Sequence, residues 1–339
     1  MKRLAINGFG RIGRCVFRAL QERSADFDLT LVAINELADI DTIAYLSRYD
    51  STHGRFPGTV ELLDNQLRVS GETITVSHHE RIQDLPWQSQ AIDLVLECTG
   101  VHGDRAAGQQ HLQAGAGKVL FSQPASVDVD CTIVRGVNHQ QIAADHRIVS
   151  NASCTTNCIV PVLKLLDDQF GIASGNITTL HSMMNDQPVL DAYHHTDLRK
   201  TRSASQSMIP VDTELVRGIG RLLPDLEHRL SAKAIRVPTV NVSAMDLVVC
   251  LQKDVSVEQV NTLFQQACET YLYGVLDCAE EPLASCDFNH DRHSGIVDIA
   301  HTSVCNGRLL NVLTWFDNEW GFANRMLEVA DQMLSSNCG

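Results

Sequence analysis

The spacing of apolar residues changes once along this chain, near residue 150. Before that point, short apolar runs at 3–7, 29–34, 92–98 and 118–122 alternate with amphipathic stretches at 11–20, 40–49 and 104–115. Short apolar runs bounded by turn residues read as buried strands, and a 3.6-residue apolar period reads as helix. Their alternation predicts an open, mostly parallel sheet with helices on its faces. Two alternating segments at 59–63 and 67–76 predict an antiparallel ribbon. After residue 150 a helical run begins near Ile159. Segments of period two follow at 176–180, 234–237, 241–249, 295–300 and 309–316. These predict a largely antiparallel sheet with helices on one face. The amphipathic stretch 322–334 is expected to pack back on the first domain. The expectation is therefore an α/β chain with a Rossmann-type domain over 1–153, completed by a C-terminal helix within 318–339. An α+β domain covers 154–317. Between the strands of the second half, 186–210 is a long polar stretch containing Asp197, Arg199, Lys200 and Arg202. A segment of that kind inside a compact domain is functional or disordered.

Composition narrows the classes. With 339 residues the chain has room for two domains. A net charge of −14 argues against a general nucleic-acid binder, which would show a basic face. The 11 cysteines follow no disulfide framework. Cys154 and Cys158 lack the further Cys or His pair that a zinc site needs, so no metal is expected. The N-terminus does not read as a signal peptide, and a reduced cytosolic compartment is the expectation. No apolar run approaches the ~20 residues that span a bilayer.

Two stretches carry candidate chemistry. Gly8-Phe9-Gly10-Arg11-Ile12-Gly13 follows a strand and opens a helix, the context of the dinucleotide fingerprint. Gly8 makes the tight turn, Gly10 lets the backbone approach a pyrophosphate, and Gly13 lets helix and strand pack closely. Glu36 ends the second strand where an acidic residue binds ribose hydroxyls, and its charge favours NAD over NADP. The second stretch is Ser150-Asn151-Ala152-Ser153-Cys154-Thr155-Thr156-Asn157-Cys158. Small polar residues before an apolar-periodic run mark a helix N-terminus. Unpaired N–H groups and the helix dipole there favour a thiolate, so Cys154 is expected to be a reactive thiol. The same donors could stabilise an oxyanion.

Asn7–Arg14, Ser150–Asn157, Arg236-Val237-Pro238-Thr239 and Trp315–Gly321 together resemble the phosphorylating glyceraldehyde-3-phosphate dehydrogenase family, nearly end to end and in the same order. Val32–Asp39, Met208–Thr213 and Asp287–Asp291 resemble its erythrose-4-phosphate dehydrogenase branch. The resemblance implies Cys154 as nucleophile and His181 as the base that activates it. It implies Asn318 as the residue holding the nicotinamide carboxamide, with Arg11 near the pyrophosphate, Ile12 under the nicotinamide and Arg81 toward the adenine. Arg236 and Lys200 match basic positions of anion pockets, with Ser153, Thr155 and Thr213 supplying hydroxyls and backbone donors around them. His194 and His195 read as solvated loop residues.

Two departures matter. Met184 stands where the phosphorylating enzymes have a phosphate-binding threonine, and Glu214 follows Thr213 where they have glycine. A carboxylate beside an inorganic-phosphate pocket would repel the anion. The expectation is oxidation of D-erythrose 4-phosphate to 4-phosphoerythronate, with water resolving the thioacyl intermediate. The resemblance further implies a cytosolic homotetramer serving pyridoxal phosphate biosynthesis. The alternatives are a phosphorylating glyceraldehyde-3-phosphate dehydrogenase and a non-catalytic NAD-binding protein.

Overall fold

The structure is a computed structural model that describes residues 1–194 and 197–335. The chain divides into two compact units, Met1–Ser153 with Phe322–Gly339, and Cys154–Gly321.

The first unit contains β1 (Lys2–Asn7), α1 (Arg11–Glu22), β2 (Leu29–Asn35), α2 (Ile40–Arg48), β3 (Tyr49–Asp50), β4 (Gly54–Arg55), β5 (Val60–Leu63), β6 (Gln66–Val69), β7 (Glu72–Ser77), β8 (Leu94–Glu97), α3 (Arg105–Gln113), β9 (Lys118–Phe121), β10 (Cys131–Thr132) and β11 (Ile148–Ser150). One nine-stranded sheet runs in the order β10-β11-β9-β8-β1-β2-β7-β6-β5. It is parallel from β10 to β7 and antiparallel from β7 to β5. Leu4, Ala5, Leu94, Val95, Leu96, Val119 and Leu120 are fully buried, as central parallel strands require. The chain leaves β1 to one side for β2 and returns to its other side with β8. This reversal is the switch point where such sheets bind ligands.

The expected ribbon is a three-strand meander. Ser70 (φ 49°) and Gly71 (φ 95°) turn the chain inside the second alternating segment, and β7 then joins β2 in parallel. A two-residue turn with both φ angles positive is the tight hairpin connection, and glycine at its second position relieves the strain.

The second unit contains α4 (Cys154–Phe170), β12 (Ile172–His181), β13 (Ile209–Val211), α5 (Leu215–Leu222), β14 (Leu230–Arg236), β15 (Ser243–Leu251), α6 (Val257–Glu269), β16 (Leu276–Ala279), β17 (Gly295–Cys305) and β18 (Leu309–Phe316). Its seven strands run β13-β14-β12-β15-β18-β17-β16. The sheet is mostly antiparallel; β12 with β14 and β16 with β17 are the parallel pairs. The polar stretch 186–210 is a tied loop. Ala192 N donates to Thr201 O and Ala204 N to Pro188 O, each at 2.9 Å, and Leu198–Thr201 forms one 3₁₀ turn. His194 Nδ1 accepts from Asp197 N at 3.1 Å, so this ring is part of the loop's own bonding. His195 lies outside the described residues. α7 (Trp320–Ser335) closes the chain, and from Phe322 it belongs to the first unit. There Met326, Leu327, Val329, Ala330 and Met333 are fully buried, and Lys118 Nζ donates to Met333 O at 2.7 Å.

Candidate active site

The glycine loop of the first unit shows a separate physical reason for each glycine. Gly8 has φ +90°, and a Cβ there would lie 2.6 Å from Thr99 N at the end of β8. A Cβ on Gly13 would lie 2.3 Å from Gly8 O, so α1 packs on β1 only because that position has no side chain. A Cβ on Gly10 would meet nothing within 4 Å, which leaves open space over the start of α1. Gly10 is the helix N-cap and offers no side-chain cap. The first-turn N–H groups of α1 are the donors such a terminus presents to an anion.

Glu36 accepts from Phe9 N at 2.7 Å and from Leu37 N at 2.7 Å. Its carboxylate thus also braces the glycine loop, a role its position in sequence did not suggest. Arg11, half-buried at the start of α1, is clamped by both oxygens of Asp50 at 2.5 and 3.2 Å. Burial opposes the ionised Asp50, but that guanidinium and the backbone N–H groups of His53 and Thr52 outweigh it and hold the carboxyl well below the usual carboxylate range. Ile12 is half-buried beside Arg11. Arg81 is 67 % exposed and pairs with Asp84 three residues on. It makes the ordinary surface ion pair.

A buried polar chain that sequence reading missed links the ends of the central strands. Trp87 Nε1 donates to His111 Nδ1 at 3.0 Å, which leaves the ring proton on Nε2 to donate to Glu97 Oε2 at 2.9 Å. Asn7 Nδ2 donates to the same oxygen at 2.6 Å, and Asn35 Nδ2 donates to Asn7 Oδ1 at 2.8 Å. Thr99 N and Oγ1 donate to Glu97 Oε1. Burial alone would push the Glu97 carboxyl up, but His111, Thr99 and Asn7 outweigh it and hold the group low.

The second unit carries the thiol. Cys154 is the first residue of α4, between Ser153 and Thr155, all three half-buried. Its Sγ lies 3.9 Å from His181 Nε2. His181 Nδ1 is 2.8 Å from the carbonyl of Ser182, so Nδ1 carries the ring proton and Nε2 turns its lone pair to the sulfur. Burial pushes the Cys154 thiol up to about 11, although the N–H groups of Thr155 and Cys154 pull the other way. Glu319 and Asp317 add to the rise. Burial, with Arg236 assisting against the Ser182 carbonyl, pushes His181 down. Both shifts favour the neutral forms of the thiol and the imidazole at neutral pH. The helix terminus acts in the expected sense, toward the thiolate, and burial works against it.

Asn318 Oδ1 accepts from Ser182 Oγ at 2.9 Å and from Ser243 Oγ at 2.8 Å. Two hydroxyl donors on one atom fix the amide orientation and direct Nδ2 away as the donor. The neighbouring Asp317 is buried, accepts from Glu319 N and Trp320 N at the start of α7, and accepts from Asn241 Nδ2 and His290 N. The Asp287–Asp291 segment is thereby built into the same turn, and His290 stacks on Trp320 at 3.6 Å.

Arg236, at the end of β14, is 7 % exposed and donates twice to Asp186 at 2.5 and 3.1 Å. Lys200 Nζ reaches the same carboxylate at 3.2 Å. Two cations share one anion, so the cluster keeps a positive charge. Burial opposes the ionised Asp186, but Arg236 and then Lys200 hold its carboxyl low. Thr213 Oγ1 accepts from Leu215 N at the start of α5. Glu214 is 83 % exposed with Arg217 at 3.7 Å. In water its charge is screened, which weakens the expected repulsion of phosphate. Met184 is half exposed.

Residues 2–105 match the family model described as glyceraldehyde 3-phosphate dehydrogenase, NAD binding domain, and residues 153–318 match that of the C-terminal domain.

Proposed function

The chain belongs to the glyceraldehyde-3-phosphate dehydrogenase family of NAD-dependent dehydrogenases, and within it we propose that the substrate is D-erythrose 4-phosphate, oxidised to 4-phosphoerythronate. The observation that carries a phosphorylated aldehyde is the cationic pair Arg236 and Lys200 beside His181 and Cys154. A phosphate on the cluster leaves the far end of a short chain for the thiol. The choice of the four-carbon sugar rests on Met184 and on the sequence likeness of Val32–Asp39, Met208–Thr213 and Asp287–Asp291 to the erythrose branch.

The chemistry follows from the tautomer. His181 Nε2 takes the Cys154 proton as Sγ attacks the aldehyde carbon, giving a hemithioacetal. NAD, when bound, supplies the hydride acceptor. Gly8, Gly10, Gly13, Glu36, Arg11 and Ile12 would hold it, and Asn318 Nδ2 would donate to its carboxamide. The open space over Gly10 and the brace of Glu36 fit that cofactor. The α4 N–H groups stabilise the oxyanion of the thioacyl step. Once His181 has released its proton, it removes one from water as the water attacks the thioacyl carbon. Cys154 leaves and the acid is freed.

One observation favours a second reading. Glu214 stands in solvent, so inorganic phosphate could replace water as the nucleophile, as in the phosphorylating enzymes. NADH formation with D-erythrose 4-phosphate and with D-glyceraldehyde 3-phosphate, each with and without phosphate, separates the two. Activity on the four-carbon aldehyde without phosphate supports the proposal. Strictly phosphate-dependent turnover of the three-carbon aldehyde overturns it.

The loop at 186–210 exposes Val189, Leu190, Tyr193, Leu198 and Met208. We assign this face to the subunit contact of a cytosolic homotetramer, to be checked by sedimentation. Its acid product would enter pyridoxal phosphate biosynthesis.

A further inference from the structure

The second unit holds a pair of thiols that the dehydrogenase chemistry does not use. Cys268 lies in the last turn of α6, and Cys278 lies on β16, the edge strand of the sheet. Their sulfurs are 3.6 Å apart. A disulfide needs about 2.05 Å, so the sulfurs must approach by roughly 1.5 Å.

The backbone around the pair is fixed. α6 starts in a reciprocal cap between Ser256 and Gln259. The turn to β16 is closed by Leu272 N to Ala267 O, Val275 N to Leu272 O and Leu276 N to Leu272 O, with Gly274 at φ 72°. Beyond it, Gln265 Nε2 donates to Glu280 Oε1 at 2.8 Å and ties helix to strand a second time. Two thiols held in contact by a rigid turn gain high effective concentration for each other. Cys278 is half-buried on the edge strand and reachable from solvent, whereas Cys268 is buried. The hydrogen bond with Cys278 and then burial both push the Cys268 thiol up; Cys278 is the sulfur that a solute can reach.

We propose that Cys268 and Cys278 form a reversible dithiol/disulfide site that is oxidised by hydrogen peroxide. The Cys278 thiolate attacks the peroxide O–O bond, giving a sulfenic acid and releasing water once the leaving oxygen is protonated. The Cys268 sulfur then attacks the sulfenic sulfur, loses its proton and expels the hydroxyl as a second water. Two thiols lose two electrons and two protons, and one peroxide is reduced to two waters. The bond ties the edge strand β16 to α6, and a dithiol reductant restores both thiols.

The experiment uses the full chain with Cys154→Ser, which removes the nucleophile of the dehydrogenase reaction and so stands apart from the proposed function. The protein is treated with hydrogen peroxide, blocked with iodoacetamide and cut after glutamate, which separates 259–269 from 270–280. The expected result is that these two segments stay joined until dithiothreitol is added, while Cys286 carries the label. Added Cys278→Ser, and separately Cys278→Ala, should leave Cys268 as a labelled thiol. The proposal is overturned if both cysteines take the label after oxidation, if either goes singly to a sulfinic or sulfonic acid, or if the bond forms with Cys286 instead.

Discussion

His181 and Arg236 are register partners on neighbouring parallel strands, β12 and β14. Partners in a parallel pair project to the same side of the sheet. The imidazole that serves the thiol and the guanidinium that carries the anion charge therefore emerge together. Arg236 also helps to keep the imidazole neutral, because its charge disfavours a second one nearby.

Replacing Arg236 by leucine should raise KM for a phosphorylated aldehyde about 10- to 100-fold, since a hydrogen bond to a charged group contributes about 1.5–3 kcal/mol. Unphosphorylated glyceraldehyde should react with little change in KM. Steady-state kinetics on both aldehydes measure the split. Equal losses on the two would show that Arg236 acts only through the packing of β14.

The opposite shifts of Cys154 and His181 have a pH signature. With the thiol pushed up to about 11 and the imidazole pushed down, the thiolate fraction of the free enzyme grows with rising pH up to that value. Iodoacetamide should therefore label Cys154 faster at each step from pH 7 toward pH 10. A rate that levels off near pH 6 would instead report a thiolate–imidazolium pair. His181→Asn should lower turnover by about 10²- to 10⁴-fold, the range for a lost general base.

Gly10 and Gly13 should separate binding from folding. Gly13→Ala drives a methyl to 2.3 Å from Gly8 O, so thermal unfolding should move down by several degrees. Gly10→Ala has open space around it and should keep the melting temperature of the free protein. Its methyl would occupy the approach to the α1 N-terminus, and NAD affinity measured by calorimetry should fall.

Glu214→Gln should leave activity and its phosphate dependence unchanged within about twofold, because an exposed charge beside Arg217 contributes little. Kinetics at several phosphate concentrations check this.

The elements were legible where periodicity was strong. The run from β1 through Gly8, Gly10 and Gly13 into α1 gives strand, turn and helix in order, and Gly8 and Gly13 have the steric reasons that the motif implies. The break between β6 and β7 was legible only in Ser70-Gly71, which alternation on either side concealed. The chain from Trp87 to Asn35 was not legible, because Asn7 and Glu97 are 90 residues apart in sequence. Cys154 was identified by its helix start, but its raised pKa comes from burial, which a local motif does not record. The same holds for Glu214: its neighbours in sequence suggested a pocket, and its exposure places it in water.

The first unit is discontinuous, and this sets a schedule during synthesis. Its sheet is complete in sequence by Ser150, but the buried part of α7 that belongs to the same unit comes from Phe322 onward. At about 5–20 residues per second, translating 154–321 takes roughly 8–34 s. Throughout that interval the nascent first unit lacks α7, and Lys118 lacks the Met333 carbonyl that accepts from its ammonium group. A ribosome stalled anywhere between those positions would carry an incomplete first unit, open to proteases and to chaperones that bind apolar surface.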